Sequence, residues 1–402
     1  MSQSNTLNTQ RPLLATHHFT YSFVGLALMS GITIGMNKIL VTLLALHLNA
    51  ESWQIGLLIG AESLSMMLMS LPAGIFISRF SARWVYAISS LGAMTLYPLI
   101  GYSTSWYLAA IFLFIAGICI PFRVVAMNTS WLERLPEVGT SRGGWYRGTL
   151  MLGIGLVGPL LGNLVSSHLG IQGSYWITSI LFAVMSFYGF TILSRTREAD
   201  TGKSVRGGVK EMLQYLRDPM VRQVCIYDGL GGMVRGFFGT FIIVIAVRQF
   251  HWSAQQGITL MVVEGAAFVA VLLLLGHVVA KLGERLTYNL SHASLIIGLA
   301  FLGLSSGVVG LLIGAVLQAI GQAFNHLVNI SRLAHSGKNM GHVSGLFTMV
   351  GMAGGFVGAT LGGFLSKGFV LQDIFLLWIP IWLAVCPGFR AFISSNFKKL
   401  AA

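Results

Sequence analysis

The chain has 402 residues, of which 55% are hydrophobic and only 9% charged, against the roughly 25% charged residues of a soluble globular protein. Its 25 basic and 12 acidic side chains cannot clothe a soluble fold of this size, so a soluble enzyme is excluded. The net charge of +13 points to nucleic acid only if the basic residues form one water-exposed patch, which their placement decides.

The opening residues 1–18 are polar and lack the charged start, short apolar run and small-residue cleavage site of a secretory signal. The first apolar stretch is therefore expected to remain in the mature protein. Cys119, Cys225 and Cys386 lie in apolar runs without the spacing of a zinc site or a disulfide framework, so no metal is expected.

A helix crossing a hydrocarbon layer of about 30 Å needs about 20 mainly apolar residues. Twelve stretches qualify: 22–46, 54–77, 84–103, 107–129, 147–167, 173–194, 222–247, 255–280, 287–306, 308–330, 342–366 and 370–391. Runs such as Ala266-Ala-Phe-Val-Ala-Val-Leu-Leu-Leu-Leu-Gly276 lack the two-residue alternation of membrane β-strands, so the spans read as helices.

Short cytoplasmic loops retain Lys and Arg. With both termini cytoplasmic, the inner set runs from Arg11 through Arg79, Arg83 and Arg134 to Lys398 and Lys399, and holds 20 of the 25 basic residues. Arg248 and Lys367 fall outside, and Lys38, Arg123 and Arg235 within the membrane. The positive charge thus marks one membrane face, and no nucleic-acid partner is expected. The longest polar connection follows span six, giving an N-terminal bundle (1–194), a cytoplasmic linker (195–221) and a C-terminal bundle (222–402).

The two halves repeat. Gly74-Ile-Phe-Ile-Ser78-Arg79-Phe-Ser81-Ala-Arg83 after span two matches Gly276-His-Val-Val-Ala280-Lys281-Leu-Gly283-Glu-Arg285 after span eight, 202 residues on. Glu62 and Glu264 are also 202 apart, and Asn128-Thr-Ser130-Trp-Leu132 matches Asn329-Ile-Ser331-Arg-Leu333 at 201. Three matches at nearly one offset indicate a duplicated six-helix unit with a site between the halves near the bilayer midplane.

With these residues in place the chain resembles a transporter of the major facilitator superfamily. Gly74, Arg79 and Arg83, with Gly276, Lys281 and Arg285, match the loop in which that family locks its halves together on the cytoplasmic side; Ser78 and Ala280 stand at its aspartate position. Gly158, Pro159 and Gly162 in span five resemble the glycine-proline segment of the family's antiporters and drug exporters. The resemblance implies an all-α membrane protein of twelve transmembrane helices in two pseudo-symmetric six-helix bundles. It also implies export driven by proton entry; a solute:proton symporter working inward is the alternative. The expected setting is a plasma membrane of the bacterial inner-membrane type. The expected partners are protons, the lipid bilayer and a small-molecule substrate, a polar or anionic organic compound such as a drug or metabolite rather than a purely lipophilic cation. The chain is expected to be a monomer, without a cofactor, powered by the proton gradient.

The same span contains Gly153-x-Gly155-x-x-Gly158, a dinucleotide fingerprint in the wrong setting, since no strand precedes it. Close helix approach explains those glycines better. No P-loop is present for ATP-driven transport, and no arrangement of nucleophile and base supports an enzyme.

Charges within the spans are costly, at least about 2.5–3.5 kcal/mol each, and therefore informative. Six are present: Lys38, Glu62, Arg123, Asp228, Arg235 and Glu264. The carboxylates Glu62, Asp228 and Glu264 are candidates for proton coupling, or else fixed partners of the three cations. Asp228 and Arg235 share a helix face but are separated by about 10.5 Å of rise, so each is expected to find another partner. Asn37, Lys38, Arg123 and Arg235, with Gln318, Gln322, Asn325 and His326 on one stripe of span ten, are candidates for the substrate cavity. Interhelical hydrogen bonding is the other reading of that stripe. His292, in span nine, is a weaker candidate. Trp145, Tyr146, Phe237 and Phe238 are read as interface anchors rather than substrate walls.

Overall fold

A computed structural model describes residues 4–138, 145–193, 214–275, 281–334 and 340–385. In chain order the helices are α1 (Ser4–His47), α2 (Ser52–Arg79), α3 (Ala82–Gly101), α4 (Trp106–Val138) and α5 (Trp145–Leu152). α5 continues through a π-helical turn, Gly153–Val157, into α6 (Gly158–Ile192). A 3-10 turn at Tyr215–Arg217 leads to α7 (Pro219–Arg248), α8 (Ala254–Leu274), α9 (Glu284–Leu304), α10 (Val308–Ala334), α11 (Met340–Leu365) and α12 (Ile374–Val385). Among the described residues there is no strand. Most of the linker, and Gly276, lie outside the described residues.

Nine helical stretches among the described residues are long and apolar enough to cross a membrane. One of them, Tyr146–Ile192, has 47 residues, about 70 Å of helix and twice a bilayer core. Gly170 breaks it with φ +69° and ψ −178°, a conformation open to glycine because it lacks a Cβ. Before the break Gly162 lies against Met36 of α1, and after it Gly189 lies against Tyr86 of α3. The stretch thus supplies spans five and six of the sequence. α2 and the 12 described residues of α12 account for the other two apolar stretches. Large apolar side chains such as Phe187, Leu304 and Val309 are more than two-thirds exposed, as a lipid-facing surface requires.

The duplication is visible in the backbone. Asn49 (φ +52°) and His251 (φ +56°) are the two non-glycine residues with positive φ among those described, and they too stand 202 apart. Each precedes a matching cap: the Glu51 N–H donates to Gln54 Oε1 (2.7 Å) at the start of α2, and the Ser253 N–H to Gln256 Oε1 (3.1 Å) at the start of α8. α7 begins at Pro219, three residues before the expected boundary, because Asp218 caps it by accepting from the Met220 and Val221 N–H groups.

Within the N-terminal half α1 packs on α5 and α6, and α3 on α4 and α6; within the other, α7 packs on α8 and α11, and α9 on α10. The halves meet at two equivalent seams, α2 against α11 and the π turn with its flanks against α8. Both depend on glycine. A Cβ on Gly56 would enter Ala359, and one on Gly265 would enter the Gly155 backbone. The π turn forms just before Pro159, with the Gly158 N–H bonded to the Gly153 carbonyl. Gly35 of α1 accommodates the Pro159 ring, which would lie 2.7 Å from a Cβ there. The Gly153–Gly158 run is therefore a helix-packing feature and holds no nucleotide loop.

The aromatic residues differ from expectation. Phe237 and Phe238 are buried, with Phe237 4.9 Å from Phe375 and 5.1 Å from Phe241 between ring centroids, and Tyr146 is buried against Phe23. They are core residues, because their helix faces turn toward neighbouring helices and pack there against other rings. Nothing is described of the Trp145 side chain.

Candidate functional site

The six intramembrane charges form one row of alternating sign. Glu62 of α2 lies within electrostatic reach of Arg123 of α4 and Lys38 of α1. Lys38 reaches Glu264 of α8 as well as Glu62. Glu264 reaches Arg235 of α7, and Arg235 pairs with Asp228, Nη2 to Oδ1, at 3.6 Å. Linking opposite charges gives the order Arg123, Glu62, Lys38, Glu264, Arg235, Asp228, with the like charges Lys38 and Arg235 also within reach of each other. It crosses from one half to the other between Lys38 and Glu264.

The ends of the row are closed and its middle is open. Arg123 is 2% exposed and its guanidinium sits 4.5 Å from the centroid of the Phe182 ring. Asp228 is buried and held by Arg235. Lys38, by contrast, is exposed although its charged neighbours lie on α2, α7 and α8. It therefore faces a water-accessible space between the halves and not lipid. Glu62 and Glu264 are partly exposed. Asn37 Nδ2 donates to Glu62 Oε1 at 2.8 Å, whereas Lys38 and Glu264 make no side-chain hydrogen bond or ion pair with any described residue.

The direct Asp228–Arg235 pair corrects the sequence expectation. A helical side chain leans toward the N-terminus, so Arg235 extends back along its own helix toward Asp228. Gly231, one turn before Arg235, leaves it room: a Cβ there would stand 3.3 Å from Arg235 Nη1 and 2.7 Å from Gln322 Oε1. Gly351 of α11 leaves the matching space for Asp228 Oδ2, 2.6 Å from where its Cβ would be. The glycine four residues before an arginine was the signal available in the sequence. Replacing Asp228 by Asn leaves Arg235 without its buried counter-charge. The expected loss is about 2 kcal/mol of stability, below the full figure for a buried pair because a third of Arg235 meets solvent. Thermal unfolding in detergent reads this directly; an unchanged midpoint would show the pair to be neutral.

The polar stripe of α10 is mostly engaged between helices. Gln322 accepts from Arg235 Nη1 (2.8 Å) and donates to the Gly231 carbonyl (3.1 Å), and Asn325 Nδ2 donates to the Tyr227 carbonyl (3.1 Å). Gln318, Gln322 and Asn325 are fully buried, and the Gln318 amide has no hydrogen-bond partner among the described residues. His326 is partly exposed between Phe268 and Phe347 and within reach of Arg235. It is the member of the stripe that faces the central space. His292 is buried away from that space, in contact with Tyr227, Tyr288 and Trp382.

Among the loop residues, Arg83 lies over Phe190 of its own half (4.9 Å to the centroid), while Lys281 and Arg285 are exposed. Nothing is described of the Arg79 side chain or of the surroundings of Gly74. Gly158, Pro159 and Gly162 face α1.

Arg248 and Lys367 both bridge the halves, at the end of the bundle away from the start of α1. Arg248 Nη2 donates to the Ala50 carbonyl at 2.6 Å, and Lys367 Nζ sits 4.5 Å from the centroid of the Trp53 ring. Trp53 Nε1 in turn donates to Glu51 Oε2 at 2.6 Å. Together the two contacts are worth about 1–2 kcal/mol, so the double variant Arg248→Ala/Lys367→Ala is expected to open this seam about tenfold more often. Maleimide labelling of a Thr360→Cys probe, with the native cysteines replaced by Ser, measures it. Unchanged labelling would show that the clasp holds nothing.

A bundle of apolar helices in two equivalent halves, with charges gathered around a wet space between them, defines a membrane transport protein. A profile of the Major Facilitator Superfamily matches residues 23–359, and the chain belongs to that family. It is 24% identical over 401 residues to the multidrug efflux pump Tap of Mycobacterium tuberculosis, covering 93% of this chain and 92% of that one. It is 26% identical over 318 residues to solute carrier family 22 member 18 of Rattus norvegicus, covering 74% and 75%. Its fold is similar to crystal structures of the nucleoside transporter NupG (D323A mutant; TM-score 0.78, 16% identity, 93% and 99% covered) and the human organic anion transporter MFSD10 (TM-score 0.70, 17% identity, 91% and 98% covered). The protein is a transporter and not an enzyme.

Proposed function

We propose that the protein exports a small polar organic molecule in exchange for protons, by alternating access of the central space to the two sides of a plasma membrane. The observation that carries this reading is the open middle of the charge row: two carboxylates, one from each half, flank a lysine that neither grips directly. A carboxylate at this depth without an ion partner is suited to taking up and releasing a proton. Glu62 and Glu264 each take one proton, Asp228 positions Arg235, and His326 lies beside the route. A substrate group that occupies the carboxylates excludes the proton, and this mutual exclusion makes the coupling an exchange. The resemblance to a multidrug efflux pump over nearly the whole chain supports the outward direction. The chain ends lie on the cytoplasmic side in this reading, with the Arg248 and Lys367 clasp outside.

The first test is a ligand screen by thermal stabilisation of the purified protein, since a molecule that binds the folded state raises its apparent stability. Hits are then tested for movement in proteoliposomes under an imposed pH gradient. Gradient-driven movement supports the reading, and movement indifferent to the gradient overturns it.

A further inference from the structure

Resting on the proton reading of Glu62 and Glu264, we infer that Asn37 is a positioning residue that holds Glu62 in place with and without its proton, while Glu264 has no such holder, so the two carriers are inequivalent. Asn37 Nδ2 donates to Glu62 Oε1 at 2.8 Å, and Asn37 is 1% exposed. Its Oδ1 is buried and has no hydrogen-bond partner among the described residues. An amide carries a donor and an acceptor on one rotor. With Glu62 ionised, Nδ2 donates to the carboxylate; with Glu62 protonated and the amide turned over, Oδ1 accepts from the carboxyl O–H. Because Oδ1 has no other partner, the turn breaks no further bond. Among the described residues no other side chain bonds to the Glu62 carboxyl. Glu62 thus gains and loses its proton at a fixed place.

The repeat shows what the other half lacks. At the 202-residue offset that relates Glu62 to Glu264, Asn37 corresponds to Gly239. The packing of α7 on α8 sets that glycine opposite Glu264. A Cβ on Gly257 of α8 would stand 3.0 Å from the Ala246 Cβ of α7. Seven residues from that contact on each helix, away from the α7–α8 connection, lie Gly239 and Glu264. Seven residues are nearly two turns and about 10.5 Å of rise, so the two share the facing sides of the pair and one depth. No atom of the described residues lies within 4 Å of a Cβ at Gly239. The place that Asn37 fills in the first half is therefore open in the second. Charge does not make this difference. Lys38 and Arg123 are within reach of Glu62, and Lys38 and Arg235 within reach of Glu264; the hydroxyls of Tyr97 on α3 and Tyr175 on α6 also feel Glu62. Each carboxylate has two cations, and only Glu62 has an amide.

The test is infrared spectroscopy of the full chain in lipid vesicles, without ligand, taken as the difference between an acidic and a neutral sample. A protonated carboxyl gives a C=O stretch of its own, which lies lower in wavenumber when its O–H donates a hydrogen bond. Two such bands are expected, the lower lost in Glu62→Gln and the higher lost in Glu264→Gln. Asn37→Leu, an apolar side chain of similar size, is expected to shift the Glu62 band up to the position of the Glu264 band. Gly239→Asn is expected to shift the Glu264 band down. The second variant adds a side chain where there is room, so it decides the matter if Asn37→Leu fails to fold. Coincident bands in the wild-type chain, a Glu62 band unmoved by Asn37→Leu, or a Glu264 band unmoved by Gly239→Asn each overturn the inference and leave the proton exchange standing. Bands that neither Gln variant removes overturn the proton reading of the two carboxylates, and the inference with it.

Discussion

Glu264→Gln is expected to cut substrate accumulation in proteoliposomes by about tenfold for each unit of imposed pH gradient, because one pH unit is worth about 1.4 kcal/mol per proton exchanged. With Glu62 and Glu264 each passing one proton, the wild-type chain accumulates substrate about a hundredfold per pH unit, either single Gln variant about tenfold, and the double variant not at all. The structural reason is that Glu264 has no bonded partner among the described residues, so an amide of the same shape removes the titrating group without opening a cavity. Glu62 differs in one respect: it accepts from Asn37, and an amide there can turn to keep that bond. The thermal midpoint of Glu264→Gln should stay near the wild-type value, which separates loss of coupling from loss of fold, whereas Glu62→Gln also takes the counter-charge from the buried Arg123 and should lower it. Accumulation that persists unchanged in Glu62→Gln/Glu264→Gln contradicts the assignment.

Gly265→Leu is expected to stop transport while leaving the helices intact. A Cβ at Gly265 would enter the backbone of Gly155 in the π turn, at the seam where α8 meets the N-terminal half. Overpacking of this kind costs about 1–3 kcal/mol, and here the cost falls on one arrangement of the halves against each other. The neighbouring residue is Glu264, so pushing α8 away from the π turn also moves a member of the charge row. Transport is expected to fall more than tenfold, with helical content by circular dichroism unchanged. Gly239→Ala is the control, since no atom of the described residues lies within 4 Å of a Cβ at Gly239. Normal transport by Gly265→Leu would show that this seam does not set the working arrangement.

Much of this site was legible in the sequence because lipid makes charge conspicuous. The six ionisable residues inside apolar runs were each identifiable, and all six join one row. What the sequence could not supply was their order, since alternation between α4, α2, α1, α8 and α7 is a property of packing. The 202-residue offset was readable from Glu62 and Glu264. Its backbone counterpart, Asn49 and His251 in left-handed turns before matching caps, was not, because Asn and His share no obvious motif and only φ shows their equivalence. Helical rise misled on Asp228 and Arg235: it measures backbone separation, whereas a long arginine leaning toward the N-terminus over Gly231 closes the gap. The stripe of amides on α10 carried two readings at equal spacing, and burial separated them. Gln318, Gln322 and Asn325 lie between helices, and His326 faces the centre. The aromatic pair at Phe237 and Phe238 was misplaced for the same reason, since composition does not tell a core aromatic from an interfacial one.

The exchange of protons for substrate is tested most directly with a pH-sensitive dye trapped inside proteoliposomes, with no gradient imposed, on adding a ligand found by thermal stabilisation. Ligand entering by exchange carries protons out, so the interior is expected to become alkaline, and this response should vanish in Glu62→Gln/Glu264→Gln. Acidification of the interior, or ligand entry with no change of internal pH, would contradict the account.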